Sequence, residues 1–129
     1  MKRITEYLEL ADSGQWQKAL PIIEKIVSLN PNIKTSWFNY GVCLDALGKH
    51  NDAAKSFMRA YNIDSSDFGA QYRIFRSLSM ANDAVGFAEF LEIELKKTPE
   101  ILEFIIGTPE FKEIISNTVV IRIIHDNNK

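Results

Sequence analysis

Apolar residues along this chain recur at helical spacing, in stretches of about a dozen residues separated by short polar breaks. Ile4, Tyr7, Leu8, Leu10 and Ala11 form the first stretch, and Asp12-Ser13-Gly14 ends it. Trp16, Ala19, Leu20, Ile23, Ile26 and Val27 restart the pattern, which Asn30-Pro31-Asn32 stops. The next two helices are expected over about 34–47 and 52–62, with a turn at Gly48-Lys49-His50. Ser65-Ser66-Asp67 supplies N-cap residues for a further pair, over about 68–80 and 84–97, separated by Asn82-Asp83.

The breaks and the core positions keep one period. A shift of 34 residues aligns Leu10, Leu44 and Leu78, as well as Ile23, Phe57 and Leu91. The same shift maps Leu20 on Ala54 and Ala88, Ala19 on Ala53, and Gly14 on Gly48 and then on Asn82. Amphipathic helices share apolar spacing easily, but turn residues held in register with core residues mark a repeat. Small residues at Gly41, Ala53 and Ala60 let two helices approach, with Trp37, Tyr40, Leu44 and Phe57 expected to fill the space around them. Truncating Trp37 or Phe57 to alanine is then expected to cost about 3–5 kcal/mol.

Trp37, Tyr40, Gly41, Leu44, Gly48, Ala53, Phe57 and Ala60 resemble the tetratricopeptide repeat family, whose unit is a helix–turn–helix; Ser65 stands at its closing proline. The first unit matches best in its second helix and has Arg3 and Tyr7 where the family prefers Trp and Gly. The third carries Phe75 at the Gly position and Phe87 at the Ala position. The resemblance covers about residues 1–99. It implies an all-α fold, a right-handed helical-hairpin solenoid of about three helix pairs. As one domain, 1–129 divides into units 1–33, 34–67 and 68–99, with a cap and tail over 100–129.

For the cap, Thr98-Pro99-Glu100 and Thr108-Pro109-Glu110 each combine a hydroxyl cap, a proline for the first turn and an acid near the helix's positive end. Ile101, Phe104, Ile105, Phe111, Ile114 and Ile115 are expected to cover the open face of the third unit. The run 118–124, Thr-Val-Val-Ile-Arg-Ile-Ile, has strand-favouring side chains in a chain without other strands. Two readings stay open for it: a last helix on the cap, or an extended segment that pairs with its copy in another chain or occupies a groove.

In the family, the first helix of each hairpin lines a partner-binding groove. Carried over by position, that groove takes Ile4, Leu8 and Ala11, then Thr35, Phe38, Asn39, Val42 and Asp45, then Tyr72, Arg73, Arg76 and Ser79. Phe38 is the candidate anchor, and Arg73 with Arg76 the candidate contact for an acidic segment. One family subset grips a terminal carboxylate with lysines, asparagines and a further basic residue. Asn39 and Arg73 occupy two of those five positions, but Ile4, Leu8 and Gly69 hold the rest and lack the donors.

Composition narrows the functional classes. Of 129 residues, 46% are hydrophobic and 25% charged, a folded composition, and the formal net charge of −2 provides no basic field for nucleic acid. No apolar run reaches the roughly 20 residues of a membrane span or forms a secretory leader. With one cysteine, Cys43, expected as a small buried hydrophobe, the default location is cytoplasmic. His50 and His125 have no second ligand at metal spacing, and no phosphate-binding loop follows a strand. The expectation is therefore a non-enzymatic adaptor or scaffold without metal or cofactor. It binds a protein or peptide through Phe38, Asn39, Val42, Asp45, Tyr72, Arg73 and Arg76; the alternative is a homo-oligomerising module, such as a homodimer, joined through the C-terminal apolar segment.

Overall fold

The computed structural model describes residues 2–127; Met1 and Asn128–Lys129, at the ends of the expected first unit and tail, lie outside it. The described residues form α-helices with no strand: α1 (Lys2–Asp12), α2 (Trp16–Leu29), α3 (Lys34–Ala46), α4 (His50–Ile63), α5 (Phe68–Met80), α6 (Ala84–Lys97), α7 (Ile101–Gly107) and α8 (Thr118–Asn127). Short 3₁₀ turns at Pro109–Phe111 and Ile114–Ser116 connect the last two. The chain divides into two compact units, Met1–Ser77 and Leu78–Lys129, with the division inside α5.

The 34-residue period is present in the backbone itself. Gly14, Gly48 and Asn82 take positive φ values of 73°, 78° and 54°. In each turn the following N–H reaches back to the in-step leucine carbonyl: Gln15 to Leu10 (2.8 Å), Lys49 to Leu44 (2.8 Å) and Asp83 to Leu78 (3.0 Å). The turn residue's own N–H goes to Ala11, Asp45 or Ser79, which completes a Schellman motif three times. The far ends of the second helices repeat as well. Asn30, Asp64 and Thr98 share extended φ values near −142° to −146° and donate to Ile26, Ala60 and Glu94. The third unit thus keeps the repeat's backbone although its side chains depart from the pattern.

In the first compact unit, the α3–α4 hairpin closes around Gly41. A Cβ there would lie 2.7 Å from the Phe57 ring, so only glycine admits a phenylalanine at this depth. Ala53, Ala60 and Phe57 are fully buried. The α1–α2 hairpin solves the same volume differently. Tyr7 stands at the glycine position and Ile23 at that of Phe57, and both join a buried cluster with Ala19 and Cys43. The Tyr7 hydroxyl donates to the Asn39 carbonyl at 2.8 Å, tying α1 to α3. Trp37 departs from expectation because it does not fill the hairpin interior. It is half-buried, its Nε1 donates to the Pro31 carbonyl at 2.8 Å, and Arg59 stacks on its ring at 4.8 Å.

In the second unit, the Asp83 side chain caps α6 by accepting from the Gly86 N–H at 2.9 Å. Phe111 inserts edge-on against Phe87 of α6, with centroids 5.4 Å apart, and Ile101, Ile105 and Ile114 are buried around it. Phe104 packs on the outer side of Phe111 but stays exposed. The expected hydroxyl caps are not made. The Thr108 hydroxyl donates backwards to the Phe104 carbonyl at 2.6 Å, and α7 begins at Ile101, beyond Pro99. The run 118–124 is helical, which excludes its reading as a strand. Asn117 caps α8 by accepting from the Val119 N–H at 3.0 Å, and Val120 is fully buried where α8 packs on α6. A cap and one buried face outweigh strand propensity here.

Candidate functional site

The carried-over groove residues lie on α1, α3 and α5, and all but Ser79 belong to the first compact unit. Their side chains fall into two groups, centred on Phe38 and on Asp45.

Phe38 is half-buried and meets Phe57 edge-on, with ring centroids 5.1 Å apart. It therefore continues the hairpin core to the surface rather than standing clear of it. Arg73 of α5 lies over the same pair, its guanidinium 5.7 Å from the Phe38 centroid and 6.0 Å from that of Phe57. At this range the rings attract the cation without forming a hydrogen bond to its N–H groups. Asn39, one residue on, accepts the Tyr7 hydroxyl through its carbonyl and keeps its side chain half-buried, as are Val42 and Tyr72.

Asp45 is placed differently from an open groove position. Its side chain is only 8% exposed and serves as a joint between three helices. One carboxylate oxygen faces His50 Nδ1 of α4 at 2.9 Å; the other accepts from the Ser77 hydroxyl of α5 at 2.8 Å, with Arg76 Nη1 at 3.9 Å. Arg76 is thus drawn toward Asp45, and the pair Arg73 and Arg76 does not act as two equivalent cations. The Asp45, His50 and Ser77 side chains are those of a hydrolytic triad, but in the wrong order. The serine is bonded to the aspartate, not to the imidazole, so nothing here draws off the hydroxyl proton. The cluster fixes helices.

Sequence reading missed His50 and Ser77 as partners of Asp45. The local signal was present for His50, since five residues across a Gly48 turn return the first turn of α4 to the last turn of α3. It was absent for Ser77, 32 residues away. A second missed feature is an apolar cleft of about 350 Å³ lined by Arg3, Ile4, Ile26, Leu29, Ile33, Thr35 and Ser36. Ile4 and Thr35 belong to both the cleft and the carried-over groove.

Other titratable groups are held by structure. Lys34 Nζ bridges Asp64 (3.0 Å) and Asp67 (3.4 Å), and these bonds raise its pKa. Asp64 also accepts from the Ser66 hydroxyl and backbone N–H; those bonds and Lys34 lower its pKa to about 2. Burial pushes the Cys43 thiol up to about 11, and its Sγ points at the Trp16 carbonyl at 3.5 Å. No helix among the described residues is long and apolar enough to cross a membrane.

Residues 35–67 match the family model of the tetratricopeptide repeat. Over 57 residues the chain is 32% identical to an uncharacterized protein of Methanocaldococcus jannaschii. That stretch covers 44% of this chain and 66% of the relative, just short of two thirds of its length.

Proposed function

We propose, on the premise that this chain carries a tetratricopeptide repeat at residues 35–67, that it is an adaptor holding a segment of another protein across α1, α3 and α5. The repeat suggests a protein-interaction module. The observation that carries the reading further is the Arg73 guanidinium held over the Phe38 and Phe57 rings, a cation beside a half-buried aromatic anchor. Phe38, Asn39, Val42, Tyr72 and Arg73 make the contact surface, while Asp45 and Arg76 hold its helices in place. A photo-crosslinking residue placed at position 38 should capture a partner from the native host. The same residue at exposed Lys55 on α4 should not, and equal capture from both would defeat the reading.

A second reading has its own support. Val119 and Ile121 leave apolar side chains exposed on α8, 41% and 46%, which favours joining of identical chains through that helix. Light scattering at high micromolar concentration decides it, since a monomer there removes the dimer.

A further inference from the structure

The cleft beside Ile4 has an unusual surface. Leu29 ends α2 with 63% of its area exposed, and Ile33 opens α3 with 42% exposed. Between them Ile4 and Ile26 form a half-buried floor, and these four aliphatic side chains belong to one concavity. Its volume of about 350 Å³ falls within the range of roughly 300–1,000 Å³ typical of ligand pockets, at the small end. Isolated exposed leucines are ordinary, but several converging on one hollow mark a contact site.

The charge that lines the cleft is positive. Arg3 lines it directly, and exposed Lys25 lies one helical turn before Leu29 on the same side of α2. The nearby cation Lys34 is already taken up by Asp64 and Asp67. A segment entering from solvent therefore meets an apolar hollow between an arginine and a lysine, in a chain whose formal net charge is −2. This local reversal selects among partners, because complementary charge raises encounter rates and like charge repels.

We propose that the cleft receives one branched aliphatic side chain from an acidic segment of a partner protein, whose carboxylates flank it and face Arg3 and Lys25. The inference rests on the adaptor reading and names the chemistry of its partner. Ile4 and Thr35, common to cleft and groove, let one extended segment run from the cleft toward Phe38 and Arg73. Binding through one side chain and two exposed cations is weak and salt-sensitive, so affinity in the micromolar-to-millimolar range is expected for a short peptide.

The test titrates the full chain, ¹⁵N-labelled, with three acetylated and amidated pentapeptides followed by NMR. One has leucine between two pairs of acidic residues, one has serine in place of the leucine, and one has leucine between two pairs of lysines. The acidic leucine peptide should shift the amides of Ile4, Ile26, Leu29, Ile33 and Thr35, and the other two should not. Leu29→Asp and Arg3→Glu should each weaken binding by about tenfold or more, whereas Lys55→Ala, on the exposed side of α4, should leave this short peptide's binding unchanged. Ile33→Asp is the second cleft variant should Leu29→Asp not fold, as its own spectrum reveals. Equal shifts from the serine or lysine peptide, or no shifts at millimolar peptide, overturn the proposal. So do cleft shifts that follow protein concentration alone, which assign the hollow to a second copy. Shifts confined to Phe38 and Arg73 and untouched by Leu29→Asp also overturn it while leaving the adaptor reading intact; failure of that reading shows separately, in crosslinking at position 38.

Discussion

Gly41 lies so close beneath Phe57 that a β-carbon on it would stand 2.7 Å from the ring. Phe57 is fully buried and cannot swing aside without moving Phe38, which meets it edge-on. Gly41→Ala should therefore destabilise by about 1–3 kcal/mol through overpacking, despite alanine's better helix propensity. Phe57→Ala should cost about 3–5 kcal/mol. Trp37→Ala should cost less than Phe57→Ala, since its ring lies half in solvent. Urea unfolding of the three variants checks the order.

The three Schellman turns differ in one respect: Asn82 holds a positive φ that glycine holds at 14 and 48. A left-handed residue with a β-carbon costs about 1–2 kcal/mol, reduced for asparagine. Asn82→Gly should thus be neutral to stabilising by a few tenths of a kcal/mol. Gly48→Ala should destabilise by about 1–2 kcal/mol, although nothing crowds its β-position. Thermal melts that rank the two the other way would refute this account of the turns.

Asp45 joins α3, α4 and α5 through His50, Ser77 and Arg76. Asp45→Ala should destabilise by about 1–3 kcal/mol, because it strands the fully buried Ser77 hydroxyl and the half-buried His50 imidazole. Ser77→Ala in the Asp45→Ala background should add little, as the two act as a unit. A double-mutant cycle by urea unfolding measures the coupling.

Asp64 has a folded pKa of about 2, held down by Ser66 and Lys34, against about 3.9 for a free aspartate. A depressed carboxylate stabilises the fold above its unfolded pKa, and that contribution is lost as pH falls through its folded value. Stability should accordingly drop between about pH 4 and pH 2. Asp64→Asn should flatten this part of the pH–stability curve while leaving its shape near neutrality unchanged. Because Asp64 sits at the surface, added salt should shrink the effect.

Cys43 is fully buried, and its thiol is shifted up to about 11. The thiolate is the reactive form, so modification by a disulfide reagent at pH 8 should be slow in the folded chain and fast once it is unfolded. The rate should track urea-induced opening. Rapid labelling of the native chain would contradict the packing of Cys43 against Ile23 and Tyr7.

Much of this architecture is legible before folding is considered. Helix limits at Phe68–Met80 and Ala84–Lys97 agree with the breaks read from the chain, because turns of this kind depend on local chemistry. Gly14, Gly48 and Asn82 suit left-handed backbone, and each stands directly after a helical stretch where such a residue ends it. The cap was less legible. Thr108 donates its hydroxyl to a carbonyl of the preceding helix and does not accept an N–H of the following turn, and a hydroxyl is suited to either role. Residues 118–124 form a helix because Asn117 caps it and α6 offers Val120 a buried place, and the second of these no local propensity records.

The sequence alone determined the period, the hairpin unit and the family resemblance, since each is written in residues near one another along the chain. Tertiary structure decided what the groove positions do. Phe38 and Asp45 occupy equivalent-looking places on α3, yet one reaches the surface under Arg73 and the other is sequestered by His50 and Ser77. The cleft gathers Ile4 from α1, Ile26 and Leu29 from α2, and Ile33 from the N-cap of α3. Burial and partnership depend on which distant side chains arrive, and a one-dimensional pattern specifies a residue's face without its neighbours.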